Sequence, residues 1–137
     1  MANVFISRKE EFSASHRLYS DELPENDNLK IYGKCANKAG HGHNYTLIVT
    51  LRGQPDPVTG MVFNLTELKK IIMEEIINKV DHKNLNTDVD FLRGVVPTAE
   101  NLAIEFHRVL KGKLRRNLLY EVKLIETSKN WAVYRGE

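Results

Sequence analysis

His41 and His43, with the only cysteine of the chain, Cys35, just ahead of them in "GKCANKAGHGHNY", form the stretch best suited to chemistry. In an extended strand, side chains two apart point to the same side, so His41 and His43 project together, on the face of Tyr45 and Leu47. Two imidazoles on one face can share a metal ion. His16 ends an earlier strand on the face of Phe12 and Ala14, and it supplies a third imidazole if the two strands pair. Three neutral imidazoles with one open position are the donor set of a catalytic zinc. The competing reading is two loop histidines that merely flank the start of a strand. Cys35 has three readings: a fourth zinc ligand, a thiolate acting as base or nucleophile beside the metal, or a small apolar filler. Its neighbours Lys34, Asn37 and Lys38 argue against the filler.

Two further carboxylates stand out. Asp81 precedes His82 just past a predicted helix, and the pair is either an oriented, basic imidazole or a solvated helix end. Tyr120, Val122, Leu124 and Glu126 share one strand parity, which aims an acid toward the side expected to be buried. Buried acids are rare unless paired or used. A carboxylate there can accept two hydrogen bonds from a guanidine-like N–H/NH2 edge; otherwise Glu126 is the solvated end of its strand. His107 lies beside a helical apolar stripe and reads as structural.

The elements that would position these residues are legible from periodicity. Residues 3–16 read as a strand, with Val4, Ile6, Phe12, Ala14 and His16 of one parity. Residues 19–40, punctuated by Pro24, Gly33 and Gly40, read as a long loop. "HGHNYTLIVTLRG" is the clearest strand, and "QPDPVTG" is a turn followed by a short extended "MVFN". Asn64 caps a helix with the stripe Leu65, Leu68, Ile72 and Ile76. Thr98 caps a second helix, with Leu102, Phe106, Val109 and Leu110. Two strands, "LLYEVKLIET" and "WAVYRG", close as a hairpin around "SKN". The order β-β-α-α-β-β predicts an α+β domain: a four-stranded antiparallel sheet with two helices on one face. The edges of so small a sheet favour association.

The chain of 137 residues fits a single domain, 1–137. Apolar residues make up 42% and charged residues 28%, and a net charge of +2 is too balanced to call for nucleic acid or an anionic membrane. No apolar run reaches membrane-spanning length and the first residues lack a secretory apolar segment, so a cytoplasmic protein is expected. One cysteine allows no internal disulfide.

Taken in order, "FSASHRL", "GKC" with five residues before "HGHNY", "DPVTGMV", "NLTELK", "DHKNL", "PTAEN" and "YEVKLIET" resemble the animal-type branch of the 6-pyruvoyl-tetrahydropterin synthase family. The resemblance covers nearly the whole chain. It implies the T-fold, and trimers stacked into a homohexamer with active sites at subunit interfaces. It implies zinc on His16, His41 and His43, Cys35 as the proton-abstracting base, Asp81 and His82 as a proton relay, and Glu126 as the pterin anchor, with Thr98 as a further pterin contact. The implied substrate is 7,8-dihydroneopterin triphosphate, and the implied products are 6-pyruvoyl-tetrahydropterin and triphosphate, on the way to tetrahydrobiopterin. Magnesium is associated with activity in the family, and no residues here suggest its site. Lys34, Lys38 and Arg8 are candidate cations for the triphosphate. Pro97, a departure from the family pattern, is expected to lie outside the chemistry.

The five-residue gap between Cys35 and His41 is that of the pyruvoyl-forming type; enzymes making a 6-carboxy product have a shorter one. The alternatives are such a 6-carboxy-tetrahydropterin synthase-like enzyme, a non-catalytic zinc-dependent pterin-binding module with Cys35 as a structural ligand, and a metal-independent pterin-binding or assembly protein.

Overall fold

A computed structural model describes residues 2–137. Two thirteen-residue strands, β1 (Val4–His16) and β2 (His41–Gly53), form an unbroken antiparallel pair. The register runs from Val4 opposite Gly53 to His16 opposite His41. Because the side-chain period is two, Phe12 and Ala14 fall on the same face as Tyr45, Leu47, Val49 and Leu51, and all six are buried. The rings of Phe12 and Tyr45 stack at 4.8 Å, and Phe106 meets Phe12 edge-on at 6.0 Å.

The helices cover that face. Asn64 caps α2 (Leu65–Ile72) by accepting from the Thr66 N–H at 2.9 Å. The helix runs on through a π turn, Met73–Ile77, into the short α3 (Asn78–Val80). Leu68, Ile72 and Ile76 are fully buried, whereas Leu65, expected in the same stripe, is 42% exposed on the first turn. Thr98 caps α4 (Ala99–Lys111), which buries Leu102, Phe106 and Leu110 and leaves Val109 at the margin of the core. Truncating a ring as enclosed as Phe106 to Ala would cost about 3–5 kcal/mol.

Among the described residues the sheet has five strands rather than four, in the order β3 (Lys83–Asn84), β1, β2, β4 (Leu119–Thr127) and β5 (Asn130–Tyr134). The additional strand, β3 (Lys83–Asn84), pairs parallel to Ala14 and Ser15, so the sheet is mixed and not wholly antiparallel. The segment expected to be a long loop contains α1 (Glu25–Tyr32) and a 3-10 turn, Gly33–Ala36. "MVFN" forms no strand. At the other end, β4 (Leu119–Thr127) pairs with β2, and β5 (Asn130–Tyr134) pairs with β4. The Thr127 hydroxyl closes this hairpin by accepting from the N–H groups of Lys129 and Asn130.

A bulge in β4 opposite Thr50 and Leu51 corrects one expected face. Val122 and Leu124 enter the core, but the bulge turns Tyr120 to the opposite face, where its ring meets Phe5 edge-on at 4.7 Å. Among the described residues, no helix is long and apolar enough to cross a membrane.

Candidate metal centre

The register of β1 and β2 assembles the site. His16 stands directly opposite His41, and His43 lies two residues further along the same face. One nitrogen from each of the three imidazoles lies within 4.8 Å of the other two. The Nε2 atoms of His16 and His41 are 3.1 Å apart. Two nitrogens each about 2.0–2.1 Å from one tetrahedral zinc stand roughly 3.3 Å apart. His16 and His41 are therefore already close to the separation that a shared ion requires.

Gly40 permits this approach. Its φ of 73° is in the left-handed region, and a Cβ there would meet the His16 carbonyl oxygen at 2.9 Å. A side chain at this position would push the start of β2 away from the end of β1, separating His41 from His16.

Protonation also suits metal ligation. His16 is fully buried, and its Nδ1 lies 2.8 Å from the Pro97 carbonyl. A carbonyl only accepts, so Nδ1 carries the proton and Nε2 presents its lone pair to the cluster. The Tyr45 hydroxyl lies 3.3 Å from the same Nδ1. Burial lowers the His16 pKa to about 4; the Pro97 carbonyl opposes this, and His41 and His43 add to it. Burial also lowers His43, against the Glu126 carboxylate and with help from His41. Both imidazoles are thus neutral at neutral pH, the form that binds a metal. His43 Nε2 is buried with no hydrogen-bond partner, and a buried polar nitrogen without a partner is costly. A cation between the three rings would satisfy it, so these residues fit a zinc ion.

Glu126 joins this cluster at its rim. Its Oε2 lies 3.9 Å from His16 Nε2, and its side chain is 18% exposed. The position lies just beyond the Thr46–Ile125 pair, on the side toward the histidines of β2. Its charge acts on His43 and, after burial, helps to raise the Tyr45 pKa.

Similarity to known proteins points the same way as this site. The sequence pattern of the 6-pyruvoyl tetrahydropterin synthase family matches residues 5–137. Over 132 residues the chain is 52% identical to the 6-pyruvoyl tetrahydrobiopterin synthase of Pongo abelii, covering 96% of this chain and 91% of that protein. It is also 52% identical over 134 residues to the synthase of Dictyostelium discoideum, covering 98% and 97%. The chain belongs to the 6-pyruvoyl tetrahydropterin synthase family. Its fold matches the solved structure of Caenorhabditis elegans 6-pyruvoyl tetrahydropterin synthase with a TM-score of 0.94, at 44% identity, over 100% of this chain and 98% of that one.

Within this member of the family, the remaining expected residues take separate places. Cys35 lies half-buried in the 3-10 turn, outside the metal-ligating cluster. Asp81 and His82 stand at the opposite edge of β1 from β2. The Asp81 carboxylate accepts from the Ser13 N–H at 2.9 Å and lies 3.0 Å from His82 Nδ1. The Ser13 contact holds the Asp81 carboxyl below the usual carboxylate range. His82 has a φ of 60°, rare outside glycine, and its side chain is 82% exposed. Asp81 is thus anchored and orients His82, but the pair is not among the three clustered histidines. Thr98 Oγ1 is engaged as a helix cap, accepting from the Asn101 N–H at 3.2 Å. Arg8 is tied to the Glu10 carboxylate in mid-β1, opposite Val49, away from the three histidines of this chain.

Pro97 was expected to lie apart from the chemistry, yet its carbonyl orients His16. No side-chain pattern could have signalled this, because the interacting group is backbone.

Proposed function

We propose that this chain converts 7,8-dihydroneopterin triphosphate to 6-pyruvoyl-tetrahydropterin, releasing triphosphate, in the synthesis of tetrahydrobiopterin. The observation that carries the reading is the convergence of three imidazoles with the Glu126 carboxylate at their rim. Zinc is the ion, held by His16, His41 and His43. When bound, it would act as a Lewis acid on the hydroxyls of the substrate side chain, acidifying the adjacent C–H bonds.

The chain supplies the rest. Glu126 accepts hydrogen bonds from the ring N–H and amino group of the pterin, which turns the side chain of the substrate toward the histidines. Cys35, standing outside the ligand set, is left free to work as a base: its thiolate removes a side-chain proton. His82, oriented by Asp81, exchanges protons with the ring and side chain. The side-chain carbons are oxidised as the ring is reduced, so no external oxidant is needed, and triphosphate leaves with its bonding electrons.

We also propose a homohexamer with active sites shared between subunits. His82 is largely exposed and stands outside the three-histidine cluster, which suits a role at a seam between copies. β3 pairs with β1 only at Ala14 and Ser15, which leaves the outer edge of β1 from Val4 to Phe12 open.

Incubation with dihydroneopterin triphosphate and mass analysis of the products tests the activity. A 6-pyruvoyl product with stoichiometric triphosphate is expected. A 6-carboxy product, or binding without turnover, would replace this reading. A monomeric sedimentation mass in an active sample would end the shared-site proposal.

A further inference from the structure

Arg17 directly follows the ligand His16, and its contacts all concern position. Its Nε–H donates to the carbonyl of Ala36 at 2.7 Å, and the neighbouring Leu18 N–H donates to the carbonyl of Cys35 at 2.7 Å. The 3-10 turn that carries Cys35 is thus bonded at two successive carbonyls to the two residues after a metal ligand. Ala36, only 2% exposed, seats the turn in the protein.

Arg17 is itself held from the opposite direction. The Asn86 side chain accepts from the Arg17 N–H at 2.7 Å and donates to the Arg17 carbonyl at 2.9 Å. Asn86 is fixed in turn by Asn84 of β3, whose side-chain oxygen accepts from the Asn86 N–H at 2.9 Å. The guanidinium lies 3.9 Å above the Tyr19 ring, which limits its rotamers. Among the described residues, Arg17 thus links the β3 segment, the His16 strand end and the Cys35 turn.

We infer that Arg17 is a positioning residue, set by the Asn86 clamp, which fixes Cys35 relative to the His16 end of the metal centre. The inference rests on the reading of Cys35 as the base. A base misplaced by about an ångström can cost on the order of a hundredfold in rate, which is enough for a remote positioning residue to matter. Arg17 acts here through backbone carbonyls, so removing it should leave ligand identity and the pterin anchor intact.

The test uses the zinc-loaded protein and the fact that Cys35 is its only cysteine, so alkylation by iodoacetamide counts that thiol alone. Arg17→Met removes the donor and keeps an apolar side chain. It should retain zinc, alkylate at a changed rate, faster as the turn loosens, and lose about tenfold or more in kcat with KM within about twofold. Arg17→Lys should recover part of kcat, because an ammonium can still donate to the Ala36 carbonyl. Asn86→Ser frees the Arg17 backbone and should give the same signature in weaker form. An alkylation rate and kcat both unchanged in Arg17→Met would overturn the inference, as would a raised KM at constant kcat, which would make Arg17 a substrate contact. If Arg17→Met does not fold, Asn86→Ser decides by the same criteria. Full turnover in Cys35→Ala would instead remove the base reading, and the alkylation comparison would still judge the positioning.

Discussion

The Pro97 carbonyl lies 2.8 Å from Nδ1 of His16 and so decides which nitrogen of that ring faces His41 and His43. Position 97 immediately precedes the Thr98 cap of α4, so the start of a core helix and the tautomer of a ligand are set by adjacent residues. Proline fixes its own φ, which stiffens the approach of that carbonyl. The helix layer therefore does more than bury the sheet: it orders an imidazole that the sheet alone only brings near His41 and His43.

His41→Ala or His43→Ala should lose zinc together with activity, since two remaining imidazoles hold the ion poorly. His16→Ala should lose it too and should also destabilise the fold, because that ring is fully buried. Metal content after gel filtration is the measurement. About one zinc per chain is expected in the unaltered protein, and full retention in the His41 and His43 variants would remove the metal assignment.

His107 should make stability fall in mild acid. The ring is 4% exposed on α4, packs at 5.0 Å against Tyr134, and has a buried Nε2 without a partner. Burial, with Lys111 adding to it, lowers its pKa below 6.5. The unfolded chain then binds a proton that the folded chain resists. Stability is intact above pH 6.5, begins to fall as pH drops through that value, and stops falling below the lowered folded pKa. The denaturation midpoint of His107→Phe should change less between pH 7 and pH 5 than that of the unaltered protein, judged by urea titration at both pH values. Equal changes would mean that the ring is solvated when folded.

Strand parity made much of this site legible. His16, His41 and His43 share a face because β1 and β2 pair without a bulge; parity alone put His41 with His43, and His16 joined them only on the condition that the strands pair. The break in β4 could not be read this way, and it displaced Tyr120 from the face assigned to it. α1 was hidden by its polarity, although its signals were present: Pro24 before it, Glu25 and Asp27 in its first turn, Lys30 in its last, and Gly33 after it. Asn28 holds that helix start with its buried amide, a role that no periodicity reveals. β3 has two residues, too few for any pattern, and exists because the edge of β1 offers it partners.

Glu126→Ala should weaken binding of a pterin analogue strongly, since hydrogen bonds to a charged group are worth about 1.5–3 kcal/mol. Glu126→Gln should also be impaired, because an amide offers only one oxygen to two ring donors. Isothermal titration with a non-reacting pterin reads both. Unchanged affinity in both variants would leave Glu126 as a neighbour of the metal centre with no part in anchoring the ring.

Cys35 is where the competing chemistries separate most clearly. A structural zinc ligand would belong to the donor cluster, and that cluster contains only the three histidines. If Cys35 is the base, Cys35→Ala keeps its zinc and its affinity for the pterin, because neither the ligands nor Glu126 are touched. Turnover should then fall by a factor on the order of 10²–10⁴, the usual loss when a general base is removed. Cys35→Ser should recover little, since a hydroxyl ionises far less readily than a thiol. Zinc content, pterin-analogue affinity and triphosphate release, measured on one preparation, decide between the readings. Zinc and affinity retained with turnover lost places the thiol in proton transfer; zinc lost in step with activity makes it a ligand.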